Sequence, residues 1–177
     1  GDSASSGFVS KLENVGTTEI SGVDWNLEAA VSDGVQIYFS GSYLDAEYKD
    51  TVLNGTDVSG NQAIYAPELS ASLGTDILLL DDDMGRIELH VDATYQSEVF
   101  FTATNLDSVS DEGHTLVNSR VTWASLDDKW IVGLWAKNLT DEEYFVQGFD
   151  TVNSFGFDSL YRGAPRTFGA DVNYRFW

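Results

Sequence analysis

Hydrophobic and polar residues alternate with period two along most of the chain. In residues 18–32, Val23, Trp25, Leu27, Ala29 and Val31 share one face, and Gly22, Asp24, Asn26, Glu28 and Ser32 share the other. Successive side chains of a strand point to opposite faces, so the pattern predicts a half-exposed strand. Asp33-Gly34 follows, a dipeptide suited to the positive φ angles of a tight hairpin turn. Beyond it, Val35, Ile37, Phe39, Gly41 and Tyr43 alternate with Gln36, Tyr38, Ser40 and Ser42, which predicts an antiparallel partner strand. The clearest alternation sets Ile87, Leu89, Val91, Ala93, Tyr95 and Val99 against Arg86, Glu88, His90, Asp92, Thr94, Gln96 and Glu98. Residues 66–80 fit two templates. Leu69, Leu73 and Ile77 at spacing four behind Pro67 suit a helix, whereas Leu69, Ala71, Leu73 and Ile77 against Ser70, Ser72, Gly74 and Asp76 suit a strand. The Ser, Thr and Gly residues in the middle favour the strand. Further strands are predicted over 114–125, from Trp130 to Phe145 and from Phe168 onward, with a partial one at Phe8–Leu12. In the strand from Trp130 both faces are fairly apolar, so its orientation stays open.

The connections alternate in length. Asp33-Gly34, Asp81–Gly85 and Leu126–Lys129 are tight turns, while 49–65, 102–113 and 146–162 are long, polar and aperiodic. The pattern predicts an all-β, antiparallel up-and-down meander of about seven to eight strands, with its turns at one end and its loops at the other. Soluble sandwiches usually carry Greek-key connections, whereas transmembrane barrels have short turns on one side and long loops on the other. Aromatic residues follow the same division. Trp123, Trp130 and Trp177 fall at the turn end, and Tyr43, Tyr48, Tyr65, Tyr95 and Tyr144 toward the loop end. Two aromatic girdles are expected at the interfaces of a membrane.

Composition narrows the classes. The chain has 177 residues, one domain by length, and no Cys, which removes disulfides and thiolate metal sites. Its net charge of -20 repels phosphate backbones, so no nucleic-acid partner is expected. No apolar run approaches the ~18 residues of a transmembrane helix, which leaves membrane strands open. The acids concentrate in turns, loops and the polar strand face, and a mean hydropathy of -0.18 fits strands wetted on one side.

Candidate chemistry is sparse. His90 and Asp92 share a strand face and suit proton transfer, but they read better as wetted side chains. The Asp81–Gly85 run places Gly85 where a calcium loop needs a ligand, so it reads as a solvated turn. No catalytic residue, metal ligand or cofactor is expected. Ligand contacts are expected from the long loops, where Phe101, Phe149, Phe155, Phe157 and Tyr161 would stack on a ligand or pack the loops themselves.

The segments NVGTTEISGVDWNLEAAVSDGVQIYFSGSYLDAEY, WIVGLWAKNLTDEEYF and GAPRTFGADVNYRFW resemble the C-terminal part of TonB-dependent outer-membrane receptors. The resemblance lies in Asn138–Tyr144, Gly163–Gly169 and Tyr174–Phe176, taken together and in order. It implies a plugged barrel of about 22 strands in the outer membrane. That barrel would import a siderophore-iron complex, haem, cobalamin or a carbohydrate at the expense of the proton-motive force. Residues 1–177 would then be a wall fragment facing outer-membrane lipid and lipopolysaccharide. Its other implied partners are a plug domain, the remaining strands, the TonB complex acting through an N-terminal part outside these residues, and the barrel-assembly machinery. The last would read Gly169, Val172, Tyr174 and Phe176. Lipid-facing positions would include Val23, Trp25, Leu27, Val35, Ile37, Phe39, Leu89, Val91, Val121, Val172 and Tyr174. Two other architectures fit the pattern. One is a soluble acidic β-sandwich that binds carbohydrate or acts in adhesion. The other is a complete small barrel of eight strands.

Overall fold

A computed structural model describes residues 16–176; Trp177 and the partial strand expected at Phe8–Leu12 lie outside them. Strand β1 (Thr17–Ser32) turns through Asp33-Gly34 into β2 (Val35–Lys49), with Gly34 at a φ of 97° that a side chain rarely adopts. The first long loop holds a miniature hairpin, β3 (Val52–Leu53) and β4 (Thr56–Asp57). Residues 69–82 form strand β5 (Leu69–Asp82), which settles the two templates in favour of the strand. Then come β6 (Gly85–Phe100), a 3-10 turn over Asp107–Val109, β7 (Ser110–Ala124) and β8 (Trp130–Lys137). A second miniature hairpin, β9 (Phe145–Phe149) and β10 (Ser159–Arg162), carries the one-turn helix α1 (Val152–Phe155) at its tip. Strand β11 (Thr167–Tyr174) closes the described chain.

The main sheet has seven strands in the order β1-β2-β5-β6-β7-β8-β11. The long strands therefore neighbour one another in chain order, as a meander requires. Among the described residues β1 and β11 are the two edges and do not pair with each other, so the sheet is an open wall and not a closed eight-stranded barrel.

Register converts the sequence alternation into two surfaces, because residues directly opposite in an antiparallel pair share a face. One row runs Ala29, Ile37, Thr75, Val91, Ser119, Ala136, Phe168 across all seven strands. The neighbouring row on the other face runs Ala30, Gln36, Asp76, His90, Arg120, Trp135, Gly169. Pairing of Val121 with Leu134 and of Trp123 with Val132 puts Trp130, Val132, Leu134 and Ala136 on the apolar face, which fixes the orientation the sequence leaves open. Apolar side chains of this face are exposed or half-buried, Leu27 and Val172 exposed by 62% and 60%, and among the described residues no second sheet covers them. A soluble sandwich would bury that face against its second sheet, so the sandwich reading falls.

Two expectations need correction. The strand predicted from Trp130 to Phe145 ends at Lys137. Asn138 takes a left-handed φ of 50°, and the Leu139 N–H turns away to donate to the Val117 carbonyl. The loop-end girdle is also smaller than expected. Tyr43 and Tyr95 do stand on the apolar face. Tyr65 instead stacks on Phe101, Tyr144 on His114, and the Tyr48 hydroxyl accepts from the Ile64 N–H. These rings turn into the loops because the loops themselves pack. Val99, Phe101 and Val109 form a buried cluster with Leu106 and Phe145 against it. The apolar core of the described chain thus sits under the loops, at one end of the wall.

Candidate ligand cleft beneath the loop cap

Cross-loop hydrogen bonds turn the loops into one cap. Gln62 N–H donates to the Asn105 side chain, whose amide donates back to the Gln62 carbonyl, and Asn61 donates to the Ala103 carbonyl. Asp111 fastens the third loop, accepting from Phe145 N–H at 2.7 Å and lying 2.7 Å from His114 Nδ1. Ser108 donates to Asp158 at 2.8 Å. In the first loop, the Ser59 hydroxyl and N–H hold the Asp57 carboxyl below its usual range.

Two of the three motifs that carry the family resemblance meet in this cap. Asn138 accepts from Glu142 N–H at 2.8 Å and donates to the Glu142 and Ala164 carbonyls. Asp141 accepts from the Arg166 backbone and guanidinium. The Tyr144 hydroxyl accepts from Ala164 N–H, and its ring lies on Gly163, where an added Cβ would collide with it. Asn138–Tyr144 and Gly163–Arg166 therefore clasp the base of the β9–β10 hairpin.

Beneath the cap lies a cleft of about 350 Å³. Thr94, Gln96, His114 and Leu116 line it from the polar face of the wall, Tyr65 and Pro67 from the first loop, Phe101 from the second, and Tyr144, Phe145 and Val146 from the third. A second depression of about 520 Å³ adjoins it through Thr94, Gln96 and His114 and continues over Ser40, Ser42, Ser70, Ser72 and Asp24. Lower on the same face, His90 Nδ1 lies 2.6 Å from Asp76 and its Nε2 3.5 Å from Asp92. The strand neighbour, and not the residue two positions along, is the close partner of His90. Arg120 donates through both terminal nitrogens to Asp171 at 2.8 Å.

The expected contact residues separate. Phe101 borders the cleft but is 7% exposed and packed in the loop core. Phe149, Phe155, Phe157 and Tyr161 lie exposed on the β9–α1–β10 hairpin and line neither depression. Thr94, Gln96, His114, Tyr65 and Tyr144 were not expected there. The parity of β6 marks Thr94 and Gln96 as polar-face residues near the loop end, but only folding of the loops shows what covers them. Of the positions expected to guide assembly, Gly169 lies under the Trp135 ring, Val172 opposes Val132, and Tyr174 stacks between Trp130 at 4.6 Å and Phe176 at 4.9 Å.

Residues 1–139 match the family model of the TonB dependent receptor-like, beta-barrel. The chain belongs to the TonB-dependent receptor β-barrel family. It is 28% identical over 162 residues to the ferrichrome outer membrane transporter/phage receptor of Escherichia coli (strain K12), covering 88% of this chain and 20% of that protein. The fold recurs in the ferric yersiniabactin uptake receptor FyuA from Yersinia pestis, with a TM-score of 0.81 and 16% identity over 93% of this chain and 24% of that one. It recurs in the siderophore receptor PiuA from Acinetobacter baumannii, with a TM-score of 0.74 and 20% identity over 91% of this chain and 22% of that one. The chain spans about a fifth to a quarter of the length of these relatives. As a TonB-dependent receptor segment it is part of an outer-membrane β-barrel, and the relatives are transporters and receptors, not enzymes.

Proposed function

We propose that residues 1–177 form the C-terminal wall of a TonB-dependent outer-membrane receptor that imports a ferric siderophore. The observation that carries this is a seven-stranded wall with one apolar and one polar face, whose polar face ends in an aromatic cleft under a cap of packed loops. Of the cargo classes the resemblance implies, iron chelates are favoured over haem, cobalamin and carbohydrate because the relatives are named for ferrichrome and ferric yersiniabactin. The apolar face meets lipid, with lipopolysaccharide around the loops. The polar face lines a lumen shared with a plug domain and the remaining strands. The plug provides the contact with the TonB complex, and the barrel-assembly machinery reads Gly169, Val172, Tyr174 and Phe176. The test is radiolabelled iron uptake by iron-starved cells lacking the full receptor, with and without the receptor restored. Uptake of at least one ferric siderophore returns with the receptor and stops when the proton-motive force is collapsed. Restored uptake that survives the collapse would rule out energised transport.

A further inference from the structure

We infer, resting on the transport reading above, that the cleft takes a ferric chelate without net negative charge. Its upper wall is aromatic. Tyr65 stacks on Phe101 at 5.5 Å between centroids, and Tyr144 on His114 at 4.4 Å. Its floor carries the hydroxyls of Ser40, Ser42, Ser70, Ser72 and Thr94, the Gln96 amide and the Asp24 carboxyl. The basic group on these linings, His114, is spent on Asp111 at 2.7 Å, with its side chain 9% exposed.

Among the described residues, the cations of the cap also have carboxylate neighbours. Lys49 lies 2.7 Å from Glu47, Arg162 2.8 Å from Glu143 and Arg166 3.2 Å from Asp141. Drawing any of them to an anion would strip a carboxylate of its partner. Lys137 has no carboxylate partner among the described residues, but it lines a separate depression with Arg120 and Trp135. Among the described residues an anionic chelate would therefore meet no uncommitted cation on the cleft lining, and it would enter the field of a chain with net charge -20. Aromatic faces carry the opposite preference. They cover apolar rims and attract cations through the negative potential of the ring face, and Asp24 accepts a hydrogen bond from an ammonium.

The full-length receptor, purified in detergent, is titrated with a neutral ferric trihydroxamate, a trihydroxamate bearing a free ammonium and a trianionic ferric tricatecholate, with intrinsic tryptophan fluorescence as the readout. The neutral and cationic chelates bind about 100-fold more tightly than the trianion. Thr94→Lys adds a positive charge to the cleft lining and narrows that ratio about tenfold at low salt, with the effect fading as salt rises. Gln96→Arg does the same and serves if Thr94→Lys does not assemble, which heat-modifiable migration on gels reports. A wild-type preference for the trianion, or a ratio that neither substitution moves, overturns the charge assignment. Binding of none of the chelates removes the transport reading itself.

Discussion

Asn138 is 5% exposed, and its amide is satisfied on both its oxygen and its nitrogen by the loop base. Asn138→Ala leaves the Glu142 N–H and two carbonyls without partners in a place water reaches poorly. The expected cost is about 1–3 kcal/mol, read as a lower urea midpoint of the refolded receptor. Gly163→Ala acts by a different route, driving a methyl group into the Tyr144 ring and displacing it from His114. Faster amide hydrogen exchange across 145–162 is the expected sign. At the wall, Val91 and Asp92 are adjacent in sequence and opposite in surroundings. Val91→Arg should cost about 2–4 kcal/mol in a bilayer and Asp92→Arg little. Equal tolerance at both positions would reverse the two faces.

At the scale of elements, the clasp explains how β8 and β11 pair across residues 138–166. The entropy of closing a loop grows slowly with its length, so the added residues are cheap once the base is held. Replacing 147–160 with a short Gly-Ser linker should leave assembly intact, seen as an unchanged heat-modifiable shift, because the clasp lies outside the excised piece. The opposite end of the wall is tied by small turns. In the turn after β7, the Ser125 hydroxyl and then the Lys129 N–H hold the Asp127 carboxyl below the usual carboxylate range. A carboxyl depressed in the folded state stabilises it at pH above its unfolded value, about 3.9, and loses that contribution as pH falls through the folded value. Asp127→Asn should therefore narrow the gap between unfolding midpoints measured near neutral pH and in acid. An unchanged pH profile would show that the turn gains nothing from this carboxylate.

At the scale of the whole molecule, an exposed apolar face and two edges unpaired among the described residues, β1 and β11, make the isolated chain a poor soluble protein. Expressed alone without detergent it should aggregate, and a monodisperse peak on size exclusion in plain buffer would contradict the wall. The fold was largely legible because a strand repeats every two residues, so local alternation already carries strand identity, face and connection length. That is why Leu89, Val91 and Val121 stood correctly on one surface with Val172. Where local signals compete, register decided. Residues 69–82 became a strand through pairing with β2 and β6, and the face of β8 followed from its neighbours. The cleft was not legible. Its lining comes from three loops without periodicity, brought together by contacts such as Asp111 with Phe145 and Gln62 with Asn105, which are distant in sequence. Alternation by itself determined a two-faced wall with turns at one end and loops at the other. Only the tertiary structure decided which aromatics turn inward under the cap, because long-range hydrogen bonds and burial, and no repeating local geometry, place them there.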